Sequence, residues 1–253
     1  MWRQTASYSR AERPFLTAEW RHLVVASWAI DPALLIGLVP AGTELDSWGG
    51  AVYLSIVAFQ FRNTRVMGLP IPGHRNFEEI NLRFYVRRAH PEGVRRGVVF
   101  LREIVPRGLI ALAARRIYHE PYVCRSTQSR IAPATPSGPG ELSYRWRHAG
   151  AWDGVDATTA GASRMPEPDS EEAFIAEHYW GYNTQPDGET MEYRVAHPPW
   201  RVWRASVRCE LAGGSIFGRK FEGILQRPPD SGFVADGSPV TVYRGVRLTS
   251  SLR

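Results

Sequence analysis

The stretch from Ile80 to Arg88 alternates without a break. Leu82, Phe84 and Val86 fall on one side, and Asn81, Arg83, Tyr85 and Arg87 on the other. A two-residue period belongs to extended chain, whose successive side chains point to opposite faces. This segment therefore reads as a strand with its apolar face covered, and others resemble it. Ala51 to Phe61 is rich in Val, Ile, Tyr and Phe and is apolar on both faces, as in a strand at the middle of a fold. Gly97 to Ile104, Tyr122 to Ile131, Leu142 to His148, Met191 to His197, Arg201 to Glu210 and Val240 to Leu248 read as further strands. Helical signals are fewer. Asp31 as N-cap with Pro32 behind it predicts a short helix to about Leu38, ended by Pro40 and Gly42. Leu109, Leu112, Ala113 and Ile117 carry helical spacing over Leu109 to Tyr118. Asp169, with Glu172 three residues on, predicts a helix to about Trp180. Many strands and few helices predict a mainly β protein, an antiparallel sheet curled into a barrel or cone.

A chain of 253 residues that is 43% hydrophobic can bury one sizeable core, which predicts a single domain over 1–253. Ala132 to Gly140 is rich in Pro, Ser and Gly, and Ala149 to Asp169 in Gly, Ala, Thr and Pro. Flanking the strand Leu142 to His148, they predict a protruding hairpin region over about 132–169 rather than an interdomain linker. Met1 to Ala11 lacks the apolar run of a secretory signal, and Leu23 to Gly42 is interrupted by Asp31, Pro32 and Pro40. A cytoplasmic protein without membrane contact is the expectation. The net charge of +6 is dispersed, with no basic block, so nucleic acid is not expected as a partner. A homo-oligomer stays open. Cys124 and Cys209 stand far apart and read as two buried small hydrophobes.

The side-chain chemistry has one sharp restriction. Lys220 is the only lysine in the chain; the other strongly basic side chains are arginines. Arginine stays protonated and cannot act as an amine nucleophile, so lysine Schiff-base chemistry would have to use Lys220. Gly218 to Glu222 around it is polar, which predicts a solvated side chain. No GxSxG, HxH or HExxH occurs, and neither Gly49-Gly50 nor Gly213-Gly214 has the setting of a phosphate loop. No metal site and no cofactor are predicted.

Several strings occur in the order found in the YqjF-like family. They are Phe15-Leu16-Thr17-Ala18-Glu19-Trp20-Arg21, Asp31-Pro32-Ala33-Leu34-Leu35 leading to Val39-Pro40-Ala41-Gly42-Thr43-Glu44-Leu45-Asp46, and Phe77-Glu78-Glu79-Ile80-Asn81-Leu82-Arg83-Phe84-Tyr85-Val86. Tyr118-His119-Glu120-Pro121-Tyr122, His178-Tyr179-Trp180-Gly181-Tyr182 and His197-Pro198-Pro199-Trp200 follow. The chain thus resembles that family, which is similar in fold to acetoacetate decarboxylase. The resemblance implies a cone-like, incompletely closed β-barrel around a buried pocket. It also implies a catalytic lysine after a Gly-x-Pro-like turn. Here the matching turn is His119-Glu120-Pro121, followed by Tyr122 and Val123, neither of which is an amine.

The candidate site follows from the polar face of Ile80 to Arg88. If that face lines the cone, Arg83 can clamp a ligand carboxylate, flanked by Asn81 and Tyr85 and oriented by Glu79. If it faces outward, the same residues are solvated. Glu79, His119 and Glu120 are the candidate acids and bases, with Tyr122 beside them. His119 next to Pro121 also suits plain helix termination. His178 and Tyr182, and His197 with Trp200, can line a pocket mouth, although packed aromatic side chains are the commoner outcome. The expectation is a small organic acid or carbonyl ligand held without Schiff-base decarboxylation. The rivals are a lyase or hydrolase using Glu and His with an arginine clamp, and a filled barrel acting through its surface.

Overall fold

The computed structural model describes residues 14–108, 120–135, 138–212 and 216–248. Its strands are β1 (Pro14–Ile30), β2 (Glu44–Leu45), β3 (Val52–Val66), β4 (Leu69–Pro70), β5 (Phe77–Arg88) and β6 (Arg95–Val105). Then come β7 (Tyr122–Cys124), β8 (Thr127–Ala132), β9 (Glu141–His148), β10 (Ala151–Arg164) and β11 (Trp180–Thr184). β12 (Thr190–Ala196), β13 (Val202–Glu210), β14 (Ser231–Tyr243) and β15 (Val246–Leu248) complete the set. Among the described residues two α-helical pieces accompany them, α1 (Glu171–Ala176) and α2 (Glu222–Leu225).

The mainly β expectation holds, and the sheet curls back on itself. From β12 the order runs β11, β6, β5, β3, β1, β14, and β14 pairs with β12 again through Val195↔Val242 and Ala196↔Thr241. A ring of seven strands needs an even number of antiparallel junctions, so one junction has to be parallel. β11 and β6 supply it, joined at Trp180↔Gly97 and Gly181↔Val98. The ring is therefore held at two short junctions and is not an evenly closed barrel.

β13, β10, β9 and β8 continue from β14 as an antiparallel wing. The wing corrects the expected hairpin region. Ala151 to Arg164, expected as loop, is a strand whose Val155, Ala157 and Thr159 are buried. Glycine and alanine lower the local strand signal, but pairing with β9 and β13 on both sides overrides it. The wing folds over the outer face of β1, β3 and β5, where Trp28, Ile56, Leu82 and Phe84 meet Tyr144, Trp146 and Val155. At its edge, Glu78 accepts hydrogen bonds from Thr127 and Ser129 (2.8 Å each). A second apolar cluster, including Val25, Val57, Phe59, Tyr85, Val98, Tyr193 and Val195, lies on the inner face of the ring. β3 contributes to both clusters, which is why Ala51 to Phe61 is apolar on both faces.

The helical expectations need revision. Asp31 does cap a helix by accepting from the Ala33 amide (2.9 Å), but the helix is two 3-10 turns, Pro32–Leu34 and Ile36–Leu38. The expected helix over Leu109 to Tyr118 lies outside the described residues. α1 is capped by Ser170, whose hydroxyl accepts from the Ala173 amide (3.2 Å), and Trp180 already belongs to β11. Asp169 takes a left-handed conformation (φ 64°), outside the extended range usual at an N-cap. A six-residue helix is too short to persist alone; buried Phe174 and Ile175 hold α1 against the end of the ring. Ser170→Ala is expected to cost about 1 kcal/mol in urea denaturation, the usual value of an N-cap hydroxyl. The cysteines also differ from expectation: Cys124 is exposed and Cys209 half-buried. Among the described residues no helix is long and apolar enough to cross a membrane.

Candidate functional site

The alternation of β5 decides the site. Its apolar face, Leu82, Phe84 and Val86, goes to the wing, and its other face, Glu79, Asn81, Arg83 and Tyr85, goes into the ring. Asn81 is 1% exposed, Glu79 3% and Arg83 8%. The polar face is thus interior rather than solvated.

Neighbouring strands add to it. Across the β5–β6 ladder Asn81 stands opposite Glu103, and Glu103 in turn opposite Tyr122 on β7. Glu120, just before β7, is also buried. Asn81 donates to Glu79 (3.2 Å) and the Tyr122 hydroxyl donates to the other Glu79 oxygen (3.0 Å). The Tyr193 hydroxyl of β12 donates to Glu120 Oε1 (2.8 Å). Asn183 of β11 also hydrogen-bonds Glu120, and Tyr122 hydrogen-bonds Glu103.

Three buried carboxyl groups in one place resist ionisation. Burial, less the hydrogen bonds from Asn81 and Tyr122 and the charge of Arg83, pushes Glu79 up to about 7. Burial likewise pushes Glu120 up to about 7, against the bonds from Tyr193 and Asn183. Glu103 is raised well above the carboxylate range, by burial first and then by Glu120 and Glu79. Burial beside these acids raises the Tyr122 and Tyr193 hydroxyls too. Near neutral pH such a cluster can both give and take protons.

The other end of the site is cationic and aromatic. Arg83 donates through Nη2 to the Ile175 carbonyl of α1 (3.4 Å), and its guanidinium carbon lies 5.6 Å from the Tyr85 ring centre. Arg83 Nε is buried and has no partner among the described residues. His178 packs against Tyr85 (4.7 Å) and Phe174 (5.0 Å). Its Nε2 is 3.2 Å from Asp46 Oδ2, which also accepts from Arg96 (2.7 Å). Burial drives His178 down to about 4 despite the Asp46 bond, so the ring is neutral and donates through Nε2. Burial works to raise Asp46, but the bonds from His178 and Arg96 prevail and hold it at about 2. His197 stacks on Trp200 (4.2 Å), and burial followed by the charge of Arg83 lowers it to about 4.

The ring thus brings together Glu79, Asn81, Arg83, Tyr85, Glu120 and Tyr122, with His178 and His197 at the Arg83 end. Trp200 is part of the inner apolar cluster, and its indole N–H donates to Ser238 (2.9 Å). Tyr182 does not belong. It faces the outer core and donates to Glu192 (2.8 Å), a buried carboxylate paired with Arg88 and Arg95. Its neighbours Gly181 and Asn183 turn inward instead, so strand parity places Tyr182 outside. His119 lies outside the described residues. Lys220 is exposed on a 3-10 turn, Arg219–Phe221, away from the ring interior. Glu103, Tyr193 and Asn183 are interior residues that sequence reasoning did not find. A lone glutamate among the apolar residues of β6 is the one local sign of Glu103. Among the described residues no group of three or more His, Cys, Asp or Glu is arranged to hold a metal ion.

The curled β-ring has an acetoacetate-decarboxylase-like fold, and among the described residues its interior holds no lysine. Solved structures agree on the fold. The enduracididine biosynthesis enzyme MppR complexed with pyruvate superposes with a TM-score of 0.68 at 15% identity, over 98% of this chain and 95% of that one. The acetoacetate decarboxylase of Legionella pneumophila does so at 0.65 and 12%, over 99% and 95%. An acetoacetate decarboxylase-like enzyme from Sphingomonas wittichii RW1 does so at 0.62 and 17%, over 97% and 98%. Within that fold, the chain belongs to the DUF2071 family, described as "Uncharacterized conserved protein (COG2071)", which it matches over residues 17–239. It is 30% identical over 194 residues to the uncharacterized protein YqjF of Bacillus subtilis (strain 168), covering 76% of each.

Proposed function

We propose that the ring interior binds a small organic acid or carbonyl compound, with Arg83 as the anchor for its anionic group and no Schiff base in the cycle. The observation that carries this reading is a buried arginine, on the strand face that lines the ring beside other hydrogen-bonding groups, whose Nε has no partner among the described residues. A guanidinium presents a planar fork of donors suited to a carboxylate. MppR, of the same fold, has been solved with pyruvate, and with a condensation product of pyruvate and imidazole 4-carboxaldehyde. The sole lysine, Lys220, is exposed, which argues against a lysine imine on the bound molecule.

The test is a thermal-shift panel of small carboxylic, keto and hydroxy acids on the parent chain and on Arg83→Ala. A ligand at one hundred times its Kd stabilises the native state by about 2.7 kcal/mol. The expected result is a stabilising acid whose effect disappears in Arg83→Ala. Equal stabilisation of both proteins would remove Arg83 from the site.

A second reading has its own observation. Glu79 and Glu120, both near 7, are poised for proton transfer at neutral pH. On this reading the protein is a lyase- or hydrolase-type enzyme in which a glutamate moves a proton on the anchored acid. Product formation from a panel hit, lost in Glu79→Gln or Glu120→Gln with binding retained, would support it. Unchanged hits after long incubation would count against it.

A further inference from the structure

We propose that the ligand of this ring is a zwitterion: a small carboxylic acid that also bears a protonated amine, the ammonium seated among Glu103, Glu120 and Asn81. The proposal deepens the Arg83-anchor reading and rests on it for the carboxylate end. Its own basis is the polarity of the atoms without partners. Among the described residues Glu103 Oε2, Glu120 Oε2 and Asn81 Oδ1 are buried oxygens with no hydrogen-bond partner, and the nearby donor without one is Arg83 Nε. An ammonium carries three N–H donors and no acceptor, which matches three oxygens on one wall.

The register supports the placement. Asn81 and Glu103 are directly opposite in the ladder, and Glu120 is close enough to be the largest charged influence on Glu103. Asn81 is 1% exposed and Glu103 2%, so water competes poorly for these atoms. A free amine in such a place is held by charge-assisted bonds, roughly twice as strong as neutral ones. Arg83 is one two-residue step from Asn81 on the same face of β5, a rise of about 7 Å. That spacing suits an amine and a carboxylate at opposite ends of a short chain rather than on one carbon.

Protons balance simply. As the ammonium enters, a glutamic acid of the cluster loses its O–H proton to the buffer and becomes the carboxylate of the new ion pair. No oxidant or co-reactant is required.

Titration calorimetry at pH 7 with valerate, 5-aminovalerate and pentylamine tests the proposal on the parent chain, Glu103→Gln and Arg83→Ala. The parent is expected to bind 5-aminovalerate at least about tenfold more tightly than valerate, with proton release shown by the dependence of the heat on buffer ionisation. Glu103→Gln is expected to erase that preference. Valerate binding as tightly as 5-aminovalerate overturns the zwitterion and leaves the Arg83 anchor standing. Pentylamine matching 5-aminovalerate, with no effect of Arg83→Ala, overturns the anchor and keeps the ammonium seat. Absence of binding by all three overturns both.

Discussion

At pH 9 Glu103→Gln is expected to unfold at a higher denaturant concentration than the parent chain, and at pH 4.5 the two are expected to be nearly equal. The sign comes from the buried acids. Glu79 and Glu120 are raised from 4.5 to about 7 in the folded protein, and Glu103 is raised further. Above the unfolded value of 4.5 the folded state keeps protons that the unfolded chain has released. The folded state then binds more protons, so stability falls as pH rises through the folded values. A shift of this size corresponds to roughly 3 kcal/mol for a single group. The three acids share their protons, so the losses do not add. Gln at 103 keeps the shape, removes one titration and relieves its neighbours of a like charge. His178 and His197 act in the opposite sense. Each is lowered from 6.5 to about 4, so stability is lost as pH falls through that window. The comparison between parent and variant cancels this contribution. An identical loss of stability from pH 5 to pH 9 in both proteins would refute the buried-acid account.

Gly181→Ala should be the more damaging change. Gly181 and Tyr193 are ladder partners on the inner face of β11 and β12. A methyl at 181 would come within 2.1 Å of Tyr193 Cζ and 2.5 Å of its hydroxyl oxygen. The ring would have to leave its place, and its hydroxyl would withdraw from Glu120. Overpacking typically costs about 1–3 kcal/mol, and stranding a buried acceptor about 1–3 kcal/mol more. A loss on the order of 3 kcal/mol or more is therefore expected in guanidinium denaturation. The same substitution placed in a Tyr193→Ala background should cost far less, since the clash is gone. An equal cost in both backgrounds would mean that Gly181 is needed for its backbone and not for room beside Tyr193. In ligand assays the single variant should weaken 5-aminovalerate, because Tyr193 holds the carboxyl that faces the proposed ammonium.

Much of this interior is legible along one strand. The alternation of Leu82, Phe84 and Val86 with Glu79, Asn81, Arg83 and Tyr85 already separates the two faces of β5. What the strand alone leaves open is which polar face is inside, since a solvated surface has the same period. β6 shows the limit more sharply. Its register shifts opposite Leu82 and Arg83, with Leu101 as the extra residue. Val98 and Phe100 turn inward on one side of this bulge, and Glu103 and Val105 on the other. A simple two-residue count across Arg95 to Val105 cannot place both pairs on one face. β10 was hidden for a different reason: its glycines and alanines carry little strand preference, and its partners β9 and β13 hold it extended.

By itself the sequence determined the local matters. These are the strand periods, the helical start capped by Asp31, and the absence of any lysine but Lys220. Each depends on covalent structure or on neighbours a few residues away. Only the tertiary structure decided that the polar face of β5 is interior, that Glu79, Glu103 and Glu120 converge, and that Tyr182 stands outside while Tyr193 stands inside. The reason is physical. Ring closure and strand parity are set by pairings between residues far apart in the chain, and the cost of ionising a carboxyl group is set by what surrounds it after those pairings form.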